Sequence, residues 1–184
     1  GLAGSFVFAY KVFQALTGAM MPSISEAISN GRKILAQYYA TNGYKYGGMV
    51  SGYIGAIMLA VADRFIIGSS GQSFERAAIY VIPMLLSGAM SFASWNADAI
   101  LYGSGKTRLI TILTLIDLIL GVSLGLLLVE RFQVYGLLAV PFITVPVRII
   151  LGYTLNHRFC FPQRFYFWQT LAAPLLAGGT HFAV

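Results

Sequence analysis

Three ionisable residues interrupt stretches that are otherwise apolar. Lys11 lies within Leu2–Met21, Asp117 within Leu109–Val129, and Arg148 within Tyr135–Leu155. An ionised side chain at the centre of a hydrocarbon layer costs about 2.5–3.5 kcal/mol on insertion scales, so each must face a cavity or a partner. For Lys11 the chemistry is either a cationic contact to an anionic group on a substrate, or a structural pair and snorkelling. Asp117 is a proton or cation site, or half of an interhelical pair with Lys11 or Arg148, and pairing is the preferred reading. Arg148 is close enough to the end of its stretch to snorkel. These three are the candidate substrate-binding residues. Trp95, Asn96 and Asp98 form a polar patch in a further apolar stretch and read as helix packing or an interface anchor. Asp63, Asp98 and Asp117 fall on separate helices, which leaves a carboxylate pair open.

Catalytic constellations are thin. Gly103-Ser104-Gly105-Lys106-Thr107 carries the end of a phosphate-binding loop, but Ile100 stands where that motif needs its first glycine. An apolar span, not a strand, precedes it, which argues against nucleotide binding. No HExxH or GxSxG occurs, and His157 and Cys160 share a loop without further ligands to complete a metal set. The pair reads as a polar cap at a helix end. The sequence thus names no catalytic residue, no cofactor and no metal.

The elements that must position the charged residues follow from composition. Of the 184 residues, 58% are hydrophobic and 10% charged. Soluble domains carry about 25% charged residues, so most of this surface faces something other than water. Apolar segments cover about Leu2–Met21, Tyr46–Ile67, Ala77–Tyr102, Leu109–Val129 and Tyr135–Leu155, and a further one starts near Phe165. Each complete one approaches the roughly 20 residues of a spanning helix. The predicted fold is all-α, a polytopic transmembrane bundle of about six spans in a multi-pass cell-membrane protein. Residues 1–184 read as a fragment, its last span truncated.

Basic residues set the orientation. Arg32, Lys33, Lys45, Lys106, Arg108, Arg158 and Arg164 fall in one set of alternate connections. Arg64, Arg76 and Arg131, offset by Asp63, Glu75 and Glu130, fall in the other. The first set is therefore cytoplasmic. This placement also explains the net charge of +6 without nucleic acid. Ser23-Ile24-Ser25-Glu26 fits a capping box. It opens an amphipathic linker helix over about 23–42, with Ile24, Ile28, Gly31, Leu35 and Tyr38 in one stripe and Arg32 and Lys33 off it. Such a helix lies on an anionic interface, or else extends the first span into the cytosol. Pro141 and Pro146 mark the fifth segment as bent or broken. The glycine pairs Gly48/Gly52 and Gly121/Gly125 mark close helix packing.

In order along the chain, Pro22-Ser23-Ile24-Ser25-Glu26 with Gly31, the linker, Ile100-Leu101-Tyr102-Gly103-Ser104-Gly105-Lys106-Thr107 and Tyr135-Gly136-Leu137-Leu138-Ala139-Val140 together resemble the polysaccharide-biosynthesis flippases. These belong to the superfamily of multidrug and toxin extrusion, oligosaccharidyl-lipid and polysaccharide exporters. The resemblance covers nearly all of the chain. It implies the second half of a bundle of twelve or fourteen helices, with the N-terminal half of the same transporter as partner. It further implies alternating access, with a polyprenyl-linked glycan as substrate and the bilayer holding the lipid tail. Coupling to a proton or sodium gradient belongs to the same expectation. Asp117 departs from the family, which often has a neutral Asn there. The family's cavity residues vary with substrate, so none transfers.

The alternatives are a drug or metabolite cation antiporter of the same superfamily and, in a different class, an integral-membrane transferase. The charge pattern makes a direct prediction. A cysteine at Gly31 or Gly105 will be labelled only from the cytoplasm, and one at Gly71 only from outside. Impermeant maleimide on intact cells reads this, and the reverse pattern overturns the orientation.

Overall fold

The computed structural model describes residues 18–71 and 78–162, with 15, 168, 172 and 176 as isolated positions. Lys11, most of the first apolar segment and most of the last lie outside the described residues. Among the described residues every regular element is helical, as predicted. They are α1 (Met20–Ser29), α2 (Lys33–Asn42), a π-helical turn (Gly43–Gly47), α3 (Gly48–Ser70), α4 (Ala78–Gly103), α5 (Thr107–Phe132) and α6 (Val134–Phe159).

Of the six expected spans, the first and the last lie mostly outside the described residues. Among the described residues two helices, α5 and α6, are both long and apolar enough to cross a membrane. Helix α4 has the length, but its polar Ser87, Ser91, Ser94 and Asn96 are buried inside the fold. The third, fourth and fifth predicted segments correspond to α4, α5 and α6 within a few residues at each end.

The linker departs most from expectation. No capping box forms at Ser23, because α1 starts at Met20 and runs through Pro22, which its first turn tolerates. The helix stops at Gly31. The Arg32 amide donates to Ala27 O at 2.8 Å and the Gly31 amide to Ile28 O at 3.0 Å, with Gly31 at φ 71°. This is a Schellman cap, which calls for a left-handed residue. One stripe across 23–42 is thereby split into two faces. Ile24 and Ala27 of α1 are buried, while α2 buries Ala36 and Ala40 and leaves Tyr38 and Ile34 outward. Nor does α2 end where a surface helix would. It runs through the π-turn into α3, making one helical rod from Lys33 to Ser70.

Helix α4 is the centre of the fold. Between Leu85 and Leu101 it is buried on nearly every side, and small residues let its neighbours approach. Antiparallel to it, the rod packs in a fixed register. Gly47 faces the Phe92 ring, the Ser51 hydroxyl donates to Ala89 O at 3.0 Å, and Gly55 lies over Ala89. On another side α6 runs parallel, with Gly152 against Ala97 and the buried Asn156 Nδ2 donating to Ala97 O at 3.1 Å. Buried serines of α4 bond back to carbonyls of their own helix, such as Ser91 Oγ to Ser87 O at 2.8 Å.

Helix α5 returns antiparallel against α6, and Gly136 abuts the Leu128 carbonyl near the turn. Of the glycine pairs, Gly48 and Gly52 are buried as expected, but Gly121 and Gly125 meet nothing within 4 Å. Their packing role is not met among the described residues. Helix α6 is also not broken: it is continuous from Val134 to Phe159 with Pro141 and Pro146 inside it.

The Gly-Ser-Gly-Lys-Thr segment closes α4. Gly105 has φ 70°, its amide donates to Tyr102 O at 3.0 Å, and the Lys106 amide donates to Leu101 O at 2.9 Å. It is a second Schellman cap, and no phosphate loop. The turn from α5 to α6 is made by Gln133 at φ 51°, ψ −126°, a conformation that costs a side chain of order 1–3 kcal/mol. Gln133→Gly will therefore raise stability by about 1 kcal/mol, and Gly105→Ala will lower it by about as much. Thermal unfolding of the purified chain in detergent checks both signs.

Candidate functional site

The register brings the charged residues of three helices together. Asp117 lies in the third turn of α5 and Arg148 midway along α6, each about 15 Å by helical rise from the end where Gly103 and Thr107 meet. Asp98 approaches from α4. Arg148 Nη1 donates to Asp117 Oδ2 at 2.8 Å, and Nη2 donates to Asp98 Oδ2 at 2.8 Å. A planar guanidinium presents its two donors in a fixed fork, so one arginine satisfies carboxylates on two helices at once. The three side chains are mostly withdrawn, at 17% exposure for Arg148, 16% for Asp98 and 35% for Asp117. With both carboxylates ionised the cluster carries one excess negative charge. Asp98 Oδ1 is buried and has no hydrogen-bond partner among the described residues.

This places the predicted residues differently from the sequence reading. The preferred pairing of Asp117 is met, with Arg148 as its partner. Arg148 does not snorkel: it turns inward onto two acids. Asp98, read as part of a packing patch, belongs to the ion cluster. A periodicity argument had no means to find it, since the contact joins residues on three separate helices. Of the same patch, Asn96 is fully buried and neither of its amide atoms has a partner among the described residues.

Lys45 is the second residue that the sequence misplaced. It was counted in a loop, but it lies half-buried in the π-helical turn of the continuous rod. Gly43 lies by Asn96 and Gly47 by Phe92, so Lys45 is level with about Ser94 of α4. That is twelve residues, about 18 Å, along the rod from Lys33. Its Nζ stands 5.2 Å from the centroid of the Tyr46 ring. Alongside runs a groove of about 350 Å³ lined by Met20, Tyr39, Asn42, Tyr46, Val50 and Phe92 among others.

The remaining candidates stay apart. The Cys160 thiol faces Asn156 Oδ1 at 3.8 Å, and burial pushes it above its ordinary range. The His157 ring instead leans on Tyr153, with centroids 6.1 Å apart. Among the described residues no three His, Cys, Asp or Glu side chains cluster as metal ligands. Comparison with family models, curated proteins and solved structures finds no match to this chain.

The cluster makes a quantitative prediction. Arg148→Met leaves two carboxylates facing each other without a counterion and will lower stability by about 3 kcal/mol. Adding Asp98→Asn and Asp117→Asn to that variant will recover most of the loss. Unfolding midpoints of the wild type, Arg148→Met, the Asp98→Asn/Asp117→Asn pair and the triple variant form the test, and purely additive losses would show that the three residues do not act as a unit.

Proposed function

We propose that this chain is half of a membrane transporter that carries a lipid-linked oligosaccharide or polysaccharide precursor across the cytoplasmic membrane by alternating access. The observation that carries the reading is the ion cluster at mid-length of helices whose outer faces are aliphatic. On α5, Leu118, Leu126 and Leu127 are 61%, 71% and 63% exposed, and Ile112, Leu115, Ile119 and Val122 extend the same surface. A contiguous apolar face of this size is unusual for a monomer in water. It fits a hydrocarbon layer or the missing half of the bundle.

Charge distribution supports a slab of membrane thickness. Arg32, Lys33, Lys106, Arg108 and Arg158 gather where α4 and α6 end and α2 and α5 begin, with Glu26 as the acid of that end among the described residues. Arg64, Glu130 and Arg131 fall near the opposite end. Between the two planes stand Lys45, Asp98, Asp117 and Arg148. Ionisable residues at such depth mark substrate or ion pathways by default. The specific substrate class rests on the resemblance to the polysaccharide flippases.

One observation favours the second reading, a cation antiporter. The cluster sets two carboxylates against one guanidinium, and with both ionised it attracts a proton, a metal cation or an organic cation more readily than a pyrophosphate. Arg148 and Asp117 then serve coupling and not substrate recognition. Deletion in the parent cell separates the two. Lipid-linked glycan trapped on the cytoplasmic leaflet supports the flippase, and restored export by the wild type but not by Asp117→Asn ties the cluster to it. Unchanged glycan with lost efflux of organic cations supports the antiporter.

A further inference from the structure

We infer that the cleft between α1 and the rod holds one phospholipid whose head group joins a phosphate to a primary ammonium, as in the ethanolamine class. The inference rests on the membrane reading above, and not on the identity of the transported solute.

Two cavities meet in this cleft. The outer one, of about 150 Å³, is lined by Ser23, Glu26 and Asn30 of α1 and, across the Gly31 turn, by Arg32, Leu35 and Tyr39. Three- and four-residue spacing turns the three α1 side chains to the same side of that helix. The inner cavity is the groove of about 350 Å³, with Met20, Tyr46, Val50 and Phe92 in its lining. Ser23 and Tyr39 line both, so a polar cavity adjoins an apolar groove. That is the shape of an amphiphile.

Charge decides which head group fits. Glu26 and Arg32 border the same small space, yet neither makes an ion pair among the described residues. Opposite charges that share a cavity without pairing suit a guest that carries both signs. A guanidinium donates paired N–H groups to phosphate oxygens, and a primary ammonium donates to a carboxylate. Asn30 and the Ser23 and Tyr39 hydroxyls supply further donors for phosphate and ester oxygens. A pyrophosphate or a purely anionic head would set its charge against Glu26. A quaternary ammonium has no N–H to give. The outer volume equals about five waters, the scale of a phosphoethanolamine group.

Depth agrees with this assignment. Arg32 lies in the same plane of basic residues as Lys33, Lys106, Arg108 and Arg158, and both Glu26 and Arg32 are exposed there. Gly43 and Gly47 of the groove lie about 15–20 Å further along the rod by helical rise. One leaflet of hydrocarbon is about 15 Å deep. A head held at Arg32 therefore lets its chain run into the groove at the right depth. Tyr46 and Val50 are exposed along the groove, which gives a chain lateral entry from the bilayer.

The test counts lipid bound to the delipidated full chain in detergent, by native mass spectrometry. The probes are phosphatidylethanolamine, phosphatidylcholine and phosphatidylglycerol with the same acyl chains, and deacylated glycerophosphoethanolamine. The wild type is expected to bind phosphatidylethanolamine roughly tenfold more tightly than phosphatidylcholine or phosphatidylglycerol. Glu26→Gln should abolish the preference over phosphatidylcholine, and Arg32→Gln should weaken all three lipids. Val50→Trp, which fills the groove, should weaken the lipid more than the deacylated compound. Lys106→Gln, in the same basic plane but outside the cleft, should change nothing. Equal binding of the three lipids, or a preference that survives Glu26→Gln, overturns the site. Deacylated compound that binds as tightly as the lipid shows that the guest is a soluble phosphodiester and overturns the lipid assignment. The lipid comparison on the wild type needs no variant to fold. Trapped glycan in the deletion cell with equal lipid binding would keep the transporter and reject the site; ethanolamine preference with unchanged glycan would do the reverse.

Discussion

The close approach of neighbouring helices to the small residues of α4 is the constraint on which the arrangement depends. Ala89, Ala93 and Ala97 lie along this buried helix, and glycines or serines of the rod and of α6 come against them. Contacts between small residues bring backbones near enough for dispersion and for hydrogen bonds such as Ser51 to Ala89 O and Asn156 to Ala97 O. They also permit few registers. A slip by one turn would drive Phe92 or Met20 into a backbone that now has no side chain in the way. Once the register is set, the depth of every charged group follows, including that of Lys45 on one side of α4 and of Arg148 on the other.

That dependence explains which parts could be read from the sequence. The segments that became α4, α5 and α6 were legible because runs of aliphatic residues end at charges and glycines, and each run is one helix. The rod was legible only in pieces. A linker helix was expected to about residue 42 and a span from about Tyr46, so the short polar and glycine-bearing stretch between them was read as a connection. In the fold the two are one continuous helical rod packed on protein along its inner side, where Ala36, Ala40 and Tyr44 are buried. The linker stripe failed for a related reason. A left-handed glycine at Gly31 ends one helix and restarts the next with a different face inward, which a single period cannot represent.

The candidate site divides the same way. A charge in an apolar run is visible in one dimension, and that signal found Asp117 and Arg148. The partner of such a charge is set by three-dimensional contact, so the sequence could offer Lys11 or Arg148 for Asp117 and had no way to choose. Asp98 escaped because a buried acid five residues from a helix end resembles an interfacial one. Lys45 escaped because the few residues between the expected linker helix and the expected second span were taken for a loop.

The interactions holding the bundle are unequal in kind. Helices α4, α5 and α6 share one guanidinium, and separating any one of them strands a charge in a region of low polarity, which is costly. The contact of the rod with α4 is made by small residues, aromatic edges and the Ser51 hydrogen bond. The rod is also where the helix departs from regular geometry, at the π-turn that carries Lys45. The ion cluster thus ties together one side of the bundle, and the groove lies on the other side, where α1, the rod and α4 meet.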